Sequence, residues 1–292
     1  VKKFLGLFFR IGVSAGLLVY LLREADPGAL KEALFHYSPG WWVAGLLVYA
    51  AFQALSVQRW RYICKRYGFE KDYRYFGKLY LVNMYFNTLL PGIMGGDVVR
   101  GYYLVRDGFG LKESSLSVIL DRASGLLGIS FLLILALPLW GDFLPPGVRH
   151  VTLLCAGLVL GGGFVLSLRA TVHRKGIFAP VAWPSFAGLF AYGLAVQILY
   201  VVQFWVLAGG LHLGLPFRDY LVIVPVTGFL ASLPVSLGGL GVRETSLVYF
   251  LGLRGLPQEK GLLLGLLVYS TVLAGALPGA ILYLRGVRGA GD

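Results

Sequence analysis

The chain has 292 residues, 57% of them hydrophobic and only 14% charged, with a formal net charge of +12. Soluble domains carry about 25% charged residues, so this composition excludes an ordinary soluble protein and points to a membrane. The positive balance does not imply nucleic acid, because the basic residues sit mostly in the loops between apolar runs.

Taken in chain order, apolar runs occur near 4–22, 41–57, 115–139, 150–168, 185–208 and 262–284. Crossing ~30 Å of hydrocarbon takes roughly 20 residues of helix, and lipid leaves open strands without partners. Each run therefore predicts a transmembrane helix. The first follows Lys2 and Lys3 as a signal peptide would, but Arg10 interrupts it and no A-x-A pattern follows, so a retained span is expected. Trp41, Trp42, Trp60, Trp140 and Trp183 lie near run ends and are read as interfacial anchors. The segment Gln58 to Tyr67, just after the second run, mixes bases with aromatics and is read as a headgroup-facing anchor. Two further stretches, about 75–107 and 218–254, are broken by Pro and Gly, and each is either one span or a hairpin that enters and returns. Cys64 and Cys155 show no C-x-x-C spacing, so no disulfide is expected. His36, His150, His173 and His212 are scattered without metal-ligand spacing.

The broken stretches carry one motif twice. Leu90-Pro91-x-x-x-Gly95-Gly96-x-x-Val99-Arg100 recurs 143 residues later as Leu233-Pro234-x-x-x-Gly238-Gly239-x-x-Val242-Arg243. The same offset carries 4–22 onto 147–165, 40–57 onto 183–200, and 115–139 onto 258–282. The expected organisation is a single membrane domain, 1–292, of two repeats, 1–145 and 146–292. If both broken stretches are hairpins, fifteen Lys and Arg fall on the cytoplasmic side and six outside. Single spans would move Arg106, Lys112, Arg169, Arg174 and Lys175 outside, against the positive-inside rule. Three spans then separate the hairpins, so they enter from opposite sides. The predicted fold is an all-α polytopic membrane protein of two inverted repeats, each three transmembrane helices plus a Pro/Gly re-entrant hairpin, with both termini cytoplasmic.

The motif's chemistry follows from its backbone. Proline ends the incoming half-helix, and the Gly-Gly pair allows a tight reversal. A second half-helix is expected to start near Asp97 and near Leu240, where free N–H groups and the positive dipole end favour an anion. Arg100 and Arg243 fall beside those ends and suit a phosphate gripped through two parallel hydrogen bonds. The backbones of Gly95, Gly96, Gly238 and Gly239 are expected donors, and Asp97 and Glu244 are polar partners or coupling groups. Asp97 can pair with Arg100 across one turn, whereas Glu244, adjacent to Arg243, is expected to share its face less easily. Asp121 and Arg122 sit side by side in the 115–139 run and need partners on different faces, either supporting the hairpin or touching substrate. The alternative is that the glycines serve packing alone and the arginines snorkel. The matched arginines weigh against it, because a charge at the bilayer centre costs ~2.5 to 3.5 kcal/mol on insertion scales. No G-x-S-x-G, H-E-x-x-H or P-loop is present, so neither an enzyme nor a metal or cofactor is expected.

The run Asn87-x-x-Leu90-Pro91-Gly92-x-x-Gly95-Gly96-Asp97-x-x-Arg100, the Asp121-Arg122 pair, and Ser236-Leu237-Gly238-Gly239-Leu240-Gly241-Val242-Arg243-Glu244 together resemble the flippase-like transmembrane domain of the lysylphosphatidylglycerol synthase family. The resemblance covers nearly the whole chain and adds Asn87 to the candidate site. It implies movement of an anionic or aminoacylated lipid between leaflets. Where that domain is fused to a soluble aminoacyl-transferase, the protein also makes the lipid. This chain stops at Asp292, just past its last run, so a stand-alone member is expected. Relatives without the transferase are linked to varied lipids, including polyprenyl-phosphate and hopanoid pathways. The expected function is a lipid translocase of the cell inner membrane whose partner is an anionic lipid, with a homo-oligomer left open. The alternatives are a membrane subunit of a lipid-modifying enzyme and a non-transporting scaffold.

Overall fold

The computed structural model describes residues 2–89, 95–136, 139, 145–172, 182–183, 185–232, 236 and 239–286, with side chains from Phe8 onward. Among these residues there are eleven helices and no strand. They are α1 (Lys2–Glu24), α2 (Pro27–Phe35), α3 (Pro39–Arg66), α4 (Tyr73–Leu89), α5 (Gly95–Arg106), α6 (Leu111–Leu135), α7 (Pro146–Val172), α8 (Ser185–Gly209), α9 (Phe217–Ala231), α10 (Val242–Gly252) and α11 (Gln258–Leu284). Five of them, α3, α6, α7, α8 and α11, are long and apolar enough to cross a membrane. The protein is a multi-pass α-helical membrane protein.

Local sequence sets several of these boundaries. Asp26 caps α2 by accepting the Gly28 N–H at 2.8 Å, and Pro27 takes the first helical position, where its missing donor costs nothing. Most of α7 is apolar all round, and Leu154, Leu158, Phe164 and Leu168 stand exposed along it. Water would not tolerate such a patch; acyl chains would.

Helix α3 departs from the sequence expectation, because it runs unbroken to Arg66. The Gln58 to Tyr67 segment is therefore a continuation of the second span, with Arg59, Trp60, Ile63 and Cys64 all buried. No Gly or Pro stands between the run and Gly68 to stop the helix. Trp60 is fully buried and meets Phe76 edge-on at 5.2 Å, so it is core and not an interfacial anchor. Trp41 and Trp183 are exposed, as anchors must be, while Trp140 lies outside the described residues.

The helices come close where glycine permits it. A Cβ on Gly193 of α8 would collide with the Ser124 carbonyl of α6, and one on Gly279 of α11 would collide with the Leu81 carbonyl of α4. Such small-residue crossings let backbones gain dispersion contacts that lipid tails cannot match. The most extensive packing joins α3 to α8, with α4 on α11 and α6 on α8 next.

Shifted by 143 residues, α1, α3, α4, α5 and α6 fall on α7, α8, α9, α10 and α11. The two broken stretches are the pairs α4–α5 and α9–α10, and α5 and α10 have only 12 and 11 residues. The turns at Leu90-Pro91 and Leu233-Pro234, with Gly238, lie outside the described residues. The approach to α10 passes through Gly239 and Gly241, both left-handed at φ +83° and +82°, a backbone that side chains with a Cβ resist.

Candidate functional site

A cavity of about 470 Å³ is walled by α3, α4, α5, α6, α8, α9 and α11. Its charged lining comes from three separate elements: Arg59 on α3, Asp97 and Arg100 on α5, and Asp121 and Arg122 on α6. These residues form an alternating chain. Arg59 Nε meets Asp121 Oδ1 at 2.8 Å, Asp121 Oδ2 meets Arg100 Nη2 at 2.9 Å, Arg100 Nη2 meets Asp97 Oδ1 at 2.9 Å, and Asp97 Oδ2 meets Arg122 Nε at 2.8 Å.

Helix geometry explains how two adjacent opposite charges can both be used. Successive residues project about 100° apart around a helix, so Asp121 faces the arginines of α3 and α5 while Arg122 reaches Asp97. Asp97 and Arg100 are one turn apart on α5. Arg100 is only 1% exposed. Its guanidinium lies 4.7 Å from the Trp60 ring centre and 5.3 Å from that of Tyr80, so its faces gain cation–π attraction. A charge this deep persists only with such partners.

The pairing leaves donors over. Arg59 Nη1 and Arg100 Nε and Nη1, together with one acceptor, Asp97 Oδ1, are buried without a hydrogen-bond partner among the described residues. The lining holds three arginines against two aspartates, an excess of one positive charge. Arg122 is the exposed member of the chain, its side chain 44% accessible.

At the start of α5 the Gly96 N–H is donated to Asn87 Oδ1 at 3.0 Å. A Cβ on Gly96 would collide with the Asn83 carbonyl of α4. Asn87 and Gly96 thus seal α5 against α4, and the Gly96 N–H is not left free as a donor. Gly95 opens the helix and is half-buried.

The second motif forms a separate cluster. Arg243 Nε and Nη2 both donate to Glu244 Oε1, at 2.9 and 2.7 Å, and Glu244 Oε2 accepts the Gly241 N–H at 2.7 Å. The Arg243 guanidinium lies 5.5 Å from the Tyr269 ring centre. Sequence adjacency did not keep these two side chains apart, contrary to expectation. Glu244 turns back to the helix N-terminus, where the free N–H and the dipole favour a carboxylate, and Arg243 closes over it. Gly239 packs against Ala231. None of these three residues lines the cavity.

The structure therefore brings together Asn87, Asp97, Arg100, Asp121 and Arg122, and it sets Arg243, Glu244 and Gly239 apart. Sequence reasoning missed Arg59, which it placed in a cytoplasmic loop, and Gln197 of α8, which also lines the cavity. The missing breaker before Gly68 was the available signal for Arg59; Gln197, one of two glutamines in an apolar run, offered none.

This fold and site define an integral membrane protein with a polar, charge-paired cavity inside its helix bundle. Residues 7–279 match the family described as lysylphosphatidylglycerol synthase TM region, and the chain belongs to that family. No match was found among curated proteins or among solved structures.

Proposed function

We propose that the protein is a translocase that carries an anionic, phosphate-bearing lipid between the leaflets of the cell inner membrane. The observation that carries this reading is the cavity lining, with its one-charge excess and three buried guanidinium donors left unpaired. A phosphate supplies both the missing charge and the missing acceptors. Asp97 and Asp121 hold the arginines in place before the headgroup arrives, so little ordering is lost on binding. The family description names a synthase of an aminoacylated anionic phospholipid, which supports a lipid as the ligand.

In this reading the two halves are inverted repeats, and α4–α5 and α9–α10 are re-entrant hairpins. Helices of 12 and 11 residues are well short of the roughly 20 needed to cross, which supports hairpins over spans. Interrupted helices at matched positions, with the ligand site near the midplane, fit transporters built from such repeats.

The test is Arg100→Ala, reconstituted in proteoliposomes with a fluorescent phosphatidylglycerol. Loss of a charge-assisted contact is expected to slow leaflet exchange at least about tenfold. Exchange at the wild-type rate by a correctly inserted variant would refute the reading. The second reading, a membrane subunit of a lipid-modifying enzyme, is favoured only by the family description. It requires formation of an aminoacylated lipid, alone or with a separate catalytic chain.

A further inference from the structure

We infer that the anion seat inside this cavity lies over Gly125, between Arg59 Nη1 and Gln197 Nε2, and that the absence of a side chain at Gly125 sets the size of the group admitted. The inference rests on the lipid-binding reading above and assigns its primary ligand to Arg59.

Three observations converge on this point. Arg59 is 6% exposed. Its Nε is held by Asp121 at 2.8 Å while Nη1 has no partner among the described residues. Gly125 stands one turn beyond Asp121 on α6, so the carboxylate that orients Arg59 and the bare backbone below it share a helix face. A methyl group built on Gly125 would meet Arg59 Nη1 at 3.6 Å and Gln197 Nε2 at 3.7 Å, and no other described atom within 4 Å outside its own stretch of helix. Gln197 Nε2 donates one hydrogen to the Gly125 carbonyl at 3.0 Å, which fixes the amide and leaves its second hydrogen for a ligand.

Gly125 differs from the glycines nearby. Gly128 and Gly193 lie where any Cβ would strike backbone, so helix packing explains them. Gly125 has room for a methyl at ordinary contact distance, and alanine in a helix interior is favoured over glycine by about 1 kcal/mol. Packing does not account for a glycine here. A ligand occupying the space does. With two cationic or amide donors converging on one point, the ligand is an oxyanion, and phosphate offers enough acceptors for both and for Arg100 as well.

The experiment uses the full chain in nanodiscs of phosphatidylcholine, with binding of a fluorescent short-chain phosphatidylglycerol as the readout and thermal stability measured in parallel. Gly125→Ala is expected to keep or raise stability and to weaken probe binding severalfold, and Gly125→Leu to abolish it. Arg59→Gln should weaken binding at least about tenfold, and Arg59→Lys should restore part of it. Folded Gly125→Ala and Gly125→Leu proteins that bind the probe like the wild type would overturn the seat. If they do so while Arg100→Ala still blocks exchange, the translocase reading survives without it. If the wild type binds the probe and Gly125→Leu does not, yet no lipid is exchanged, the seat stands and the translocase reading fails. Inorganic phosphate that displaces the probe at equal concentration would overturn the lipid assignment in favour of free phosphate.

Discussion

Replacing Arg243 by alanine is expected to unfold the second half of the protein more than it weakens lipid binding. Glu244 is wholly buried, and the substitution removes both guanidinium contacts, at 2.9 and 2.7 Å, leaving only the Gly241 N–H. Taking one partner from a buried ion pair costs about 3 to 5 kcal/mol, whereas replacing both by neutral groups of similar volume is often close to neutral. The double variant Arg243→Met/Glu244→Gln should therefore recover most of the loss, since the glutamine carbonyl still accepts the Gly241 N–H. Coupling between the two sites of 2 kcal/mol or more lies within the usual range, about 0.5 to 3 kcal/mol, for contacting residues. Heating in detergent followed by size exclusion measures the folded fraction, and leaflet exchange is normalised to that fraction. An Arg243→Ala protein as stable as the wild type but at least tenfold slower per folded molecule, the loss expected from one missing charge-assisted contact, would refute the reasoning and return Arg243 to the substrate.

The other expectations are shorter to state. Arg100→Lys should recover only part of the exchange lost in Arg100→Ala, because an ammonium at the Nη2 position can keep Asp97 and Asp121 but supplies neither the Nε nor the Nη1 donor left for the ligand; equal exchange by lysine and arginine would contradict this. Asp121→Asn raises the positive excess of the lining, so it should shift relative binding from phosphatidylglycerol toward the phosphomonoester phosphatidic acid while lowering thermal stability; an unchanged preference would count against the charge argument. In a background lacking Cys64 and Cys155, single cysteines at Leu111 and Leu253, both exposed, should react with an impermeant maleimide from opposite sides of the membrane. Leu253 serves better than Gly255, whose φ of +72° would strain any side chain, and labelling of both from one side would sink the inverted repeat. Gly193→Ala should force α8 away from the Ser124 backbone and cost about 1 to 3 kcal/mol, as overpacking does; a wild-type melting profile would show that the crossing relaxes freely.

The helices were legible because twenty-residue apolar runs have one stable form in lipid, and the broken pairs were legible from Pro and Gly. Asp97 and Arg100 stood out because they belong to the broken stretch whose motif occurs twice, and Asp121 and Arg122 because charge inside an apolar run demands a reason. Arg59 was obscured for the opposite reason. It sits at the end of a run among Arg61, Lys65 and Arg66, and a membrane-flanking base looks the same in sequence whether it faces headgroups or turns back into the bundle. Only the partner on α6, 62 residues away, decides between them. The close pairing of Arg243 with Glu244 was hidden because neighbours on a helix diverge, except where a first turn lets one side chain fold back to cap it.

The repeat extends to the backbone but not to the charges. At the shared offset of 143, Asp97 corresponds to Leu240, Asp121 to Leu264, Arg122 to Gly265 and Arg59 to Val202. Of the charges in the cavity lining, only Arg100 has a charged counterpart, Arg243, and each has found a different partner. Arg100 draws on carboxylates from two helices and still has donors to spare. Arg243 is satisfied by one glutamate, whose counterpart in the first half is Gly101. That glutamate needs room, and Gly265 supplies it: a Cβ there would fall 2.8 Å from Glu244 Cγ. Where the first half places Arg122, the second has cleared space for its own internal counterion. The proposed seat is equally one-sided, since Gly125 corresponds to Val268 and Gln197 to Ala54. In the translocase reading, the two motifs share an arginine, but only the first keeps donors open for a ligand while the second neutralises its own charge.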